Sequence, residues 1–374
     1  MKMMGMIMFL LLPLAVLAYI CWHVWMLMAC ATVWKVAAVA VMVAAFLLLF
    51  ASIGRFTDSL PMPLATAVYE TGTSSIIVML YLFMTFLLLD VLRLLHVVPR
   101  QLLTANWWTL GGIALLMVAV FSYGNLHYRH KYRQPLTLTT GKPLSKPVRM
   151  VMVSDLHLGY HTQRTELARW VDIINAEQPD MVLIAGDIID GSMRPLLEQH
   201  MDEEMRRLKA PVYACLGNHE YYSGCLEAQQ FYKSAGIRLL SDEALTVGDV
   251  CIIGRDDRTN QHRKSLGKIM AEAAARQSAD SSGIKEKYTI LLDHQPYHLE
   301  QAERQGVDFQ FSGHTHHGQV WPASWVTDAI YECAFGEHQR GGTRYYVSSG
   351  LGIWGGKFRI GTRSEYIVAE LRSK

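Results

Sequence analysis

Hydrophobic and polar positions alternate along this chain in two different ways, and the change falls near residue 125. Before it, polar residues interrupt four long apolar runs, approximately Met4–Trp22, Val36–Ile53, Ile76–Leu95 and Trp107–Tyr123. Each run is long enough, at 1.5 Å per residue, to cross a hydrocarbon core of roughly 30 Å. Trp22, Trp25, Trp34, Trp107, Trp108 and Tyr123 gather at the run ends, where amphipathic rings favour a bilayer interface. The first run, behind Lys2, could also be a cleaved leader. The stretch His23–Trp34 stays apolar after it and three further runs follow, which favours a retained helix. From Val148 the period shortens. Val148–Ser154, Met181–Ala185 and Val212–Leu216 are strand-like, and Thr165–Glu177, Met193–Leu208 and Cys225–Ala235 read as the helices between and after them. That rhythm predicts parallel strands. Further strands are expected at Val250–Gly254, Tyr288–Leu292, Phe309–Phe311, Arg344–Ser348 and Glu365–Leu371, with Ala271–Lys287 a helix tail running into a loop.

Charge sharpens the division. The whole chain of 374 residues is 18% charged, against about 25% in soluble domains. The first 127 residues hold five basic and three acidic side chains, and the remaining 247 hold thirty of each. One soluble globule is thereby excluded. A net charge of +2 lacks the basic excess of a nucleic-acid binder, so no nucleic-acid partner is expected. Six cysteines without a CxxC pair read as free thiols rather than a disulfide or zinc framework. The expected organisation is a transmembrane domain of four helices over 1–124, a basic linker over 125–147 lying against anionic headgroups, and a catalytic domain over 148–374. Asp90 and Arg93, three residues apart, are expected to pair at the membrane edge. With four crossings, Lys2, Arg55, Arg129, Lys131, Arg133, Lys142 and Lys146 share a side with the C-terminal domain, against Lys35, Arg93 and Arg100 opposite. The positive-inside rule then makes that domain cytoplasmic.

Metal-ligand residue types recur where the predicted strands end. They are Asp155-Leu156-His157, Gly186-Asp187-Ile188-Ile189-Asp190, Gly217-Asn218-His219-Glu220, Asp293-His294 and Gly313-His314-Thr315-His316. Open α/β sheets place their sites at this edge. Alternate residues at a strand end point to one face, so Asp-x-His and His-x-His can converge on a cation. Any one such element is ordinary turn chemistry; five in order, each behind a strand, make a mixed oxygen and nitrogen donor set large enough for two ions. Paired cations suit hydrolysis at phosphorus, and this donor set fits Mn²⁺, Fe²⁺ or Zn²⁺ better than Ca²⁺.

The same ordered motifs, over about residues 148–372, resemble the calcineurin-like metallophosphoesterase superfamily. Gly313–Gln319 with 346–352 resembles a bacterial, membrane-associated branch of it, of the YkuE and YaeI type. The resemblance implies an α/β metallophosphoesterase domain built as a four-layer αββα sandwich behind the N-terminal four-helix transmembrane region. It implies that Asp155, His157 and His316 hold one metal, that Asn218, His294 and His314 hold the other, and that Asp187 bridges them. His219 would stabilise the transition state or protonate the leaving oxygen, and Asp190 would orient a ligand or its water. Several neighbours stay open. Asp293 could support a ligand, though capping the following helix is the favoured reading. His298 and His317 read as pocket or surface residues. His161 could reach the substrate phosphate or lie exposed in a loop, and Arg359, after the 350–356 turn, could contact substrate. The function expected is a membrane-anchored, metal-dependent hydrolase of a phosphoester or pyrophosphate in the bacterial inner membrane. Its substrate would be phosphorylated and, by analogy with membrane relatives that act on UDP-diacylglucosamine, lipid-linked. The alternative is a catalytically silent membrane scaffold or sensor that binds a phosphorylated ligand.

Overall fold

The computed structural model describes residues 2–277 and 286–374. It divides into two compact units, Met1–Asn125 with Gly355–Lys357, and Leu126–Trp354 with Phe358–Lys374.

The first unit is helical: α1 (Lys2–Leu27), α2 (Thr32–Ile53), α3 (Met62–Leu94) and α4 (Trp107–Arg129), whose last turn belongs to the second unit. Three helices, α2, α3 and α4, are long and apolar enough to cross a membrane. Among the described residues the four-helix expectation is met for these three, and the described apolar part of α1, Leu11–Leu27, is shorter. Helix α3 runs 33 residues, about 50 Å, and begins fourteen residues before the apolar run. The hydroxyls of its polar first half are satisfied within the helix by bonding back to the preceding turn, Thr73 Oγ1 to Tyr69 O at 2.7 Å and Ser75 Oγ to Gly72 O at 2.7 Å. Helices α2 and α3 pack closely at Gly72, where a Cβ would stand 2.5 Å from the Leu48 carbonyl; small residues allow such approach between apolar helices.

The expected Asp90–Arg93 pair is replaced by another. Tyr19 Oη donates to Asp90 Oδ2 at 2.7 Å, and His23 Nε2 lies 3.0 Å from the same oxygen. Tyr19 and His23 are four residues apart on one face of α1, so packing of α1 on α3 brings two partners to a carboxylate that Arg93 would share with solvent. The His23 ring also stacks on Phe86 at 4.6 Å.

The second unit holds two six-stranded mixed sheets. One contains β1 (Lys131–Thr140), β2 (Val148–Val153), β3 (Met181–Ala185), β4 (Val212–Cys215), β5 (Ile237–Leu239) and β12 (Ser364–Ser373), in the order β1-β12-β2-β3-β4-β5. The other contains β6 (Glu243–Val247), β7 (Val250–Gly254), β8 (Tyr288–Leu292), β9 (Phe309–Ser312), β10 (Gly336–Arg340) and β11 (Thr343–Val347), in the order β10-β11-β9-β8-β7-β6. Strands β2, β3, β4 and β5 are parallel neighbours, as are β7, β8, β9 and β11. The facing sides meet in one core that includes Met152, Leu183, Ile252, Ile290 and Phe311. On the outer side of the first sheet lie α5 (Arg164–Ala176), α6 (Arg194–Glu198), α7 (Met201–Met205) and α9 (Cys225–Ser234), through Trp170, Leu196, Met201 and Phe231. On the outer side of the second lie α10 (Leu266–Gln277) and α11 (Glu300–Gln305), through Ile269 and Ala302. The layers run helix, sheet, sheet, helix.

Four local expectations are corrected. The 125–147 stretch is not a linker throughout, since it contains the end of α4 and all of β1. Leu136 and Leu138 are buried on alternate positions of β1, and Pro135 is tolerated because β1 is an edge strand. Its basic side chains bond to the domain: Arg133 to Glu177, Lys142 to Asp308 and Lys146 to Asp180. The 193–208 stretch is two short helices, broken where His200 takes a left-handed φ of 50°. Strands β5, β6 and β10 were unmarked in the sequence, being short or half-exposed. Helix α10 starts earlier than the expected tail, and residues 278–285 of that stretch lie outside the described residues. All six cysteines are free.

Glu177, just past α5, joins three strands. It accepts from Arg133 Nε at 2.7 Å in β1 and Arg149 Nη2 at 2.6 Å in β2, and Tyr366 Oη of β12 lies at 3.3 Å. The Arg133 and Arg149 bonds outweigh burial and hold its carboxyl below the usual range. A carboxyl depressed in the folded state stabilises it above the unfolded value of about 4.3, and this contribution fades as pH falls through the lower folded value. Glu177→Gln therefore lowers the melting temperature of the solubilised protein at pH 7 by a few degrees, about 1 kcal/mol. The gap between variant and parent closes below about pH 4 in thermal melts.

Candidate metal centre

The strand order places five sequence motifs at one edge of the two sheets. Asp155 and His157 follow β2, Asp187 and Asp190 follow β3, and Asn218 and His219 open α8 (Asn218–Ser223) after β4. From the second sheet, His294 follows β8 while His314 and His316 follow β9. The loops are stitched together by backbone bonds. Asp155 N donates to Gly186 O at 3.1 Å, His157 N to Asp187 O at 3.0 Å, and Gly313 N to His294 O at 2.9 Å. Between the sheets, His314 N donates to Asp155 Oδ1 at 3.0 Å. A Cβ on Gly313 would collide with the Asp155 carboxylate and with Ser154, so glycine is what lets the two edges approach.

Asp155, His157, Asp187, His314 and His316 all adopt left-handed backbone, with φ of 55°, 47°, 52°, 71° and 48°. Each is a conformation that costs an L-residue about 1 kcal/mol or more. Five in one cluster aim their side chains inward at the expense of local backbone comfort. Three groups of donor atoms result, each within 4.8 Å: Asp155, His157 and His316; His157, Asp187 and His219; Asp187, His294 and His314. Asp187 and His157 each belong to two groups.

The individual contacts show why a cation fits. His157 Nε2 and His316 Nε2 face each other at 3.0 Å, and His316 Nε2 lies 3.4 Å from Asp155 Oδ1. His294 donates from Nδ1 to Ala185 O at 2.7 Å, which leaves Nε2 aimed at Asp187 Oδ2, 3.1 Å away. That arrangement fixes the tautomer a metal requires. Asn218 Oδ1 is buried without a hydrogen-bond partner, a deficit that a bound cation removes. Burial, reinforced by His157 and Arg359, holds the His316 imidazole well below its usual value, and burial with the nearby His294 takes His314 down to about 4. Both are neutral at pH 7, the form that binds metal. Burial pushes the Asp155 carboxyl up, a cost that a neighbouring cation offsets.

His219 differs from the others. Its Nδ1 lies 3.0 Å from Asp190 Oδ1, and its backbone N–H donates to Asp187 Oδ1 at 2.9 Å. Burial opposes its charge, but Asp187 and the bond to Asp190 prevail and raise the imidazole to about 9. The same Asp190 carboxylate lies 3.6 Å from His157 Nδ1 and 3.5 Å from His161 Nδ1. Although burial works against its ionisation, the neighbouring His157 and His219 hold it well below the carboxylate range. Of the three rings, that of His219 lies at full hydrogen-bond distance.

Other expected residues are placed differently. His161 is not exposed; it is buried, with Nε2 2.7 Å from Ile353 O. Arg359 is wholly buried and donates to the carbonyls of His316, Ser349 and Gly352. Its guanidinium ties the His316 loop to the 349–352 loop through those carbonyls. Asp293 does not cap a helix. It accepts from Arg255 Nη1 at 3.0 Å and Arg263 Nη1 at 3.1 Å, because two guanidiniums reach a buried carboxylate whose own N–H serves Phe311 O. His298 is half-exposed beside Glu300, and His317 stacks on Phe335 at 4.7 Å.

Glu220 has a part that the motif alone did not reveal. Its buried carboxylate accepts from Gly217 N (2.7 Å), Asp187 N (3.1 Å), Ile188 N (2.8 Å) and Ile189 N (3.1 Å). One side chain thereby locks the Asp187 loop to the Asn218 loop. The signal was present, a Glu three residues after a helix-capping position. Tyr222 is the other omission, an exposed ring 5.3 Å from that of His219.

Known proteins resemble this chain in sequence and, more distantly, in structure. Residues 148–318 match the family model described as calcineurin-like phosphoesterase. An uncharacterized metallophosphoesterase of Campylobacter jejuni is 30% identical over 266 residues, 70% of this chain and 70% of that protein. A zebrafish protein named transmembrane protein with metallophosphoesterase domain is 30% identical over 58% of this chain and 52% of its own length. Among solved structures, a 5′-nucleotidase precursor from Thermus thermophilus aligns over 55% of this chain and 50% of that one, with 18% identity and a TM-score of 0.38. The chain thus spans about half the length of the last two.

Replacing Glu220 by Gln sets an amide N–H₂ against backbone donors and leaves some of them unpaired. The expected loss is about 3 kcal/mol of stability, together with reduced metal content. Thermal melts and metal analysis of the same preparation check both.

Proposed function

Since the chain belongs to the calcineurin-like metallophosphoesterase family, we propose that it is a membrane-anchored phosphohydrolase that works with two divalent cations. The observation that carries this reading is the set of three overlapping donor groups joined through Asp187 and His157. Asp155, His157 and His316 would hold one ion, Asn218, His294 and His314 would hold the other, and Asp187 would serve both. Two bound cations supply charge neutralisation at phosphorus and the acidity that makes water nucleophilic at neutral pH. Mn²⁺, Fe²⁺ and Zn²⁺ suit these donors.

The chain's own residues do the rest. His219 enters protonated, held by Asp190, and gives its proton to the leaving oxygen. General acid catalysis of this kind contributes about 10² to 10⁴ in rate. Asp190 keeps the rings of His157, His161 and His219 in register, and Arg359 fixes the loop that presents His316. Glu220 prevents the Asp187 loop from relaxing out of its left-handed turn.

The localisation follows from helix and charge pattern. α1 joins α2, α3 and α4 as a fourth crossing of the bacterial cytoplasmic membrane, and the excess of Lys and Arg beside the second unit puts that unit in the cytoplasm. A phosphorylated, lipid-linked substrate gives membrane anchoring a purpose that a freely diffusing one does not. Single cysteines placed at the exposed positions 137, 139 and 145 in a cysteine-free background should resist impermeant maleimides in intact cells and react after lysis; labelling in intact cells refutes this orientation.

Activity is tested directly. The purified protein with Mn²⁺ hydrolyses bis(p-nitrophenyl) phosphate, and chelation abolishes turnover reversibly. Asp187→Ala removes activity and lowers the metal content below two ions per chain. His219→Ala retains both ions and loses about 10²-fold or more in kcat. Unchanged turnover in either variant refutes the assignment.

A further inference from the structure

After His316 the chain makes an excursion that the metal centre does not need. It passes Trp321, forms α12 (Ala323–Ile330) and returns through Tyr331. Trp321, Trp325, Val326 and Ile330 are 40%, 65%, 59% and 58% exposed. Four large apolar side chains bared within ten residues form a patch where scattered single ones would need no explanation. The two indoles pack edge to face at 5.4 Å, so the patch is preformed. It also borders the metal centre at both ends, for it opens five residues after His316 and closes at Tyr331, whose ring lies 6.3 Å from that of His314.

Contacts inside the second unit tie this patch to the point where a candidate membrane-crossing helix ends. His127, in the last turn of α4, lies with Nδ1 3.2 Å from Arg359 O. The next residue, Ile360, accepts from Trp321 N at 2.6 Å. Beside them is a groove of about 320 Å³ lined by His127, Tyr132, His317, Phe335 and Arg363. The polar end of a spanning helix marks the bilayer surface. Trp is the residue type that favours that depth, and the guanidinium of Arg363, which also pairs with the buried Glu365 at 3.0 Å, brings to the groove the charge that complements lipid phosphate.

We propose that α12 and its flanking tryptophan form a lip seated in the lipid interface, with the adjoining groove taking a lipid phosphate. Phosphate-bearing lipids then reach the metal centre sideways from the bilayer, without leaving it. The occupant is the bilayer surface, not a second copy of the chain or another protein. Only the identity of the substrate rests on the phosphohydrolase reading; the docking stands without it.

The test uses the full-length protein in nanodiscs of phosphatidylethanolamine and phosphatidylglycerol. With brominated acyl chains, the fluorescence component that Trp325→Phe removes is quenched; an unquenched Trp325 component overturns the proposal. Two substrates share one leaving group, soluble bis(p-nitrophenyl) phosphate and a diacyl phospholipid with a p-nitrophenyl phosphodiester headgroup. In Trp325→Asp and Val326→Asp, kcat/KM for the lipid falls about tenfold or more while the soluble substrate changes less than about twofold. Equal loss on both substrates, or loss on neither, overturns lateral entry. If the parent protein cleaves neither substrate, the phosphohydrolase reading fails and the quenching result still decides the docking. A change of oligomeric mass in Trp325→Asp, with Trp325 unquenched, identifies the face as a contact between copies and refutes the lip.

Discussion

The second unit is organised around a single electrostatic constraint, the burial of Asp187 among other ionisable groups. Asp187 lies between the two sheets with Asp155, His157, His219 and His294 around it. Burying so many ionisable groups without compensation is costly. The fold meets that cost with directed donors: Glu220 fixes the backbone, Asp190 fixes the rings, and Ala185 fixes the tautomer of His294. What remains unmet, chiefly Asn218 Oδ1, is what cations supply. The left-handed turns at five motif residues follow from the same constraint. Only a strained backbone brings donors from five loops into so small a volume, and the two sheets behind them are rigid enough to sustain it.

Much of this was legible in the sequence because strand ends and ligand types coincide. The strands from Val148, Met181, Val212, Tyr288 and Phe309 are buried runs of branched and aromatic residues, and each is followed by a polar cluster. Buried parallel strands give the strongest local signal a sheet can offer. Edge strands give little. Strand β1 hides behind Pro135 and a row of threonines, and its register is set by β12, more than two hundred residues away. No local pattern contains that partner.

Two side chains read from their neighbours share one cause. Asp293 and Arg359 each stand beside a motif, and proximity in sequence suggested a cap or a substrate contact. Their surroundings are set by other segments, Arg255 and Arg263 for Asp293, and three carbonyls from two loops for Arg359. A buried guanidinium bonded to backbone oxygens is a brace, and sequence cannot distinguish a brace from a substrate contact when both require arginine in a glycine-rich loop. The Asp90 pairing failed in the same way, since helical spacing favoured Arg93 while Tyr19 and His23 came from another helix.

The boundary near residue 125, plain in composition, falls inside α4 and not at its end. The last turn of α4 is built into the phosphoesterase unit. Tyr128 is almost wholly buried there and donates to Glu166 Oε1 at 2.6 Å, while Lys131 sits over its ring at 3.6 Å. Two residues after the helix ends, β1 begins and pairs along its full length with β12. Leu126–Thr140 therefore belongs to the second unit, and the sequence pattern, which starts the catalytic domain at 148, places the start of that unit too late. The step in charge marks where apolar sequence ends, whereas the unit begins where side chains first find buried partners.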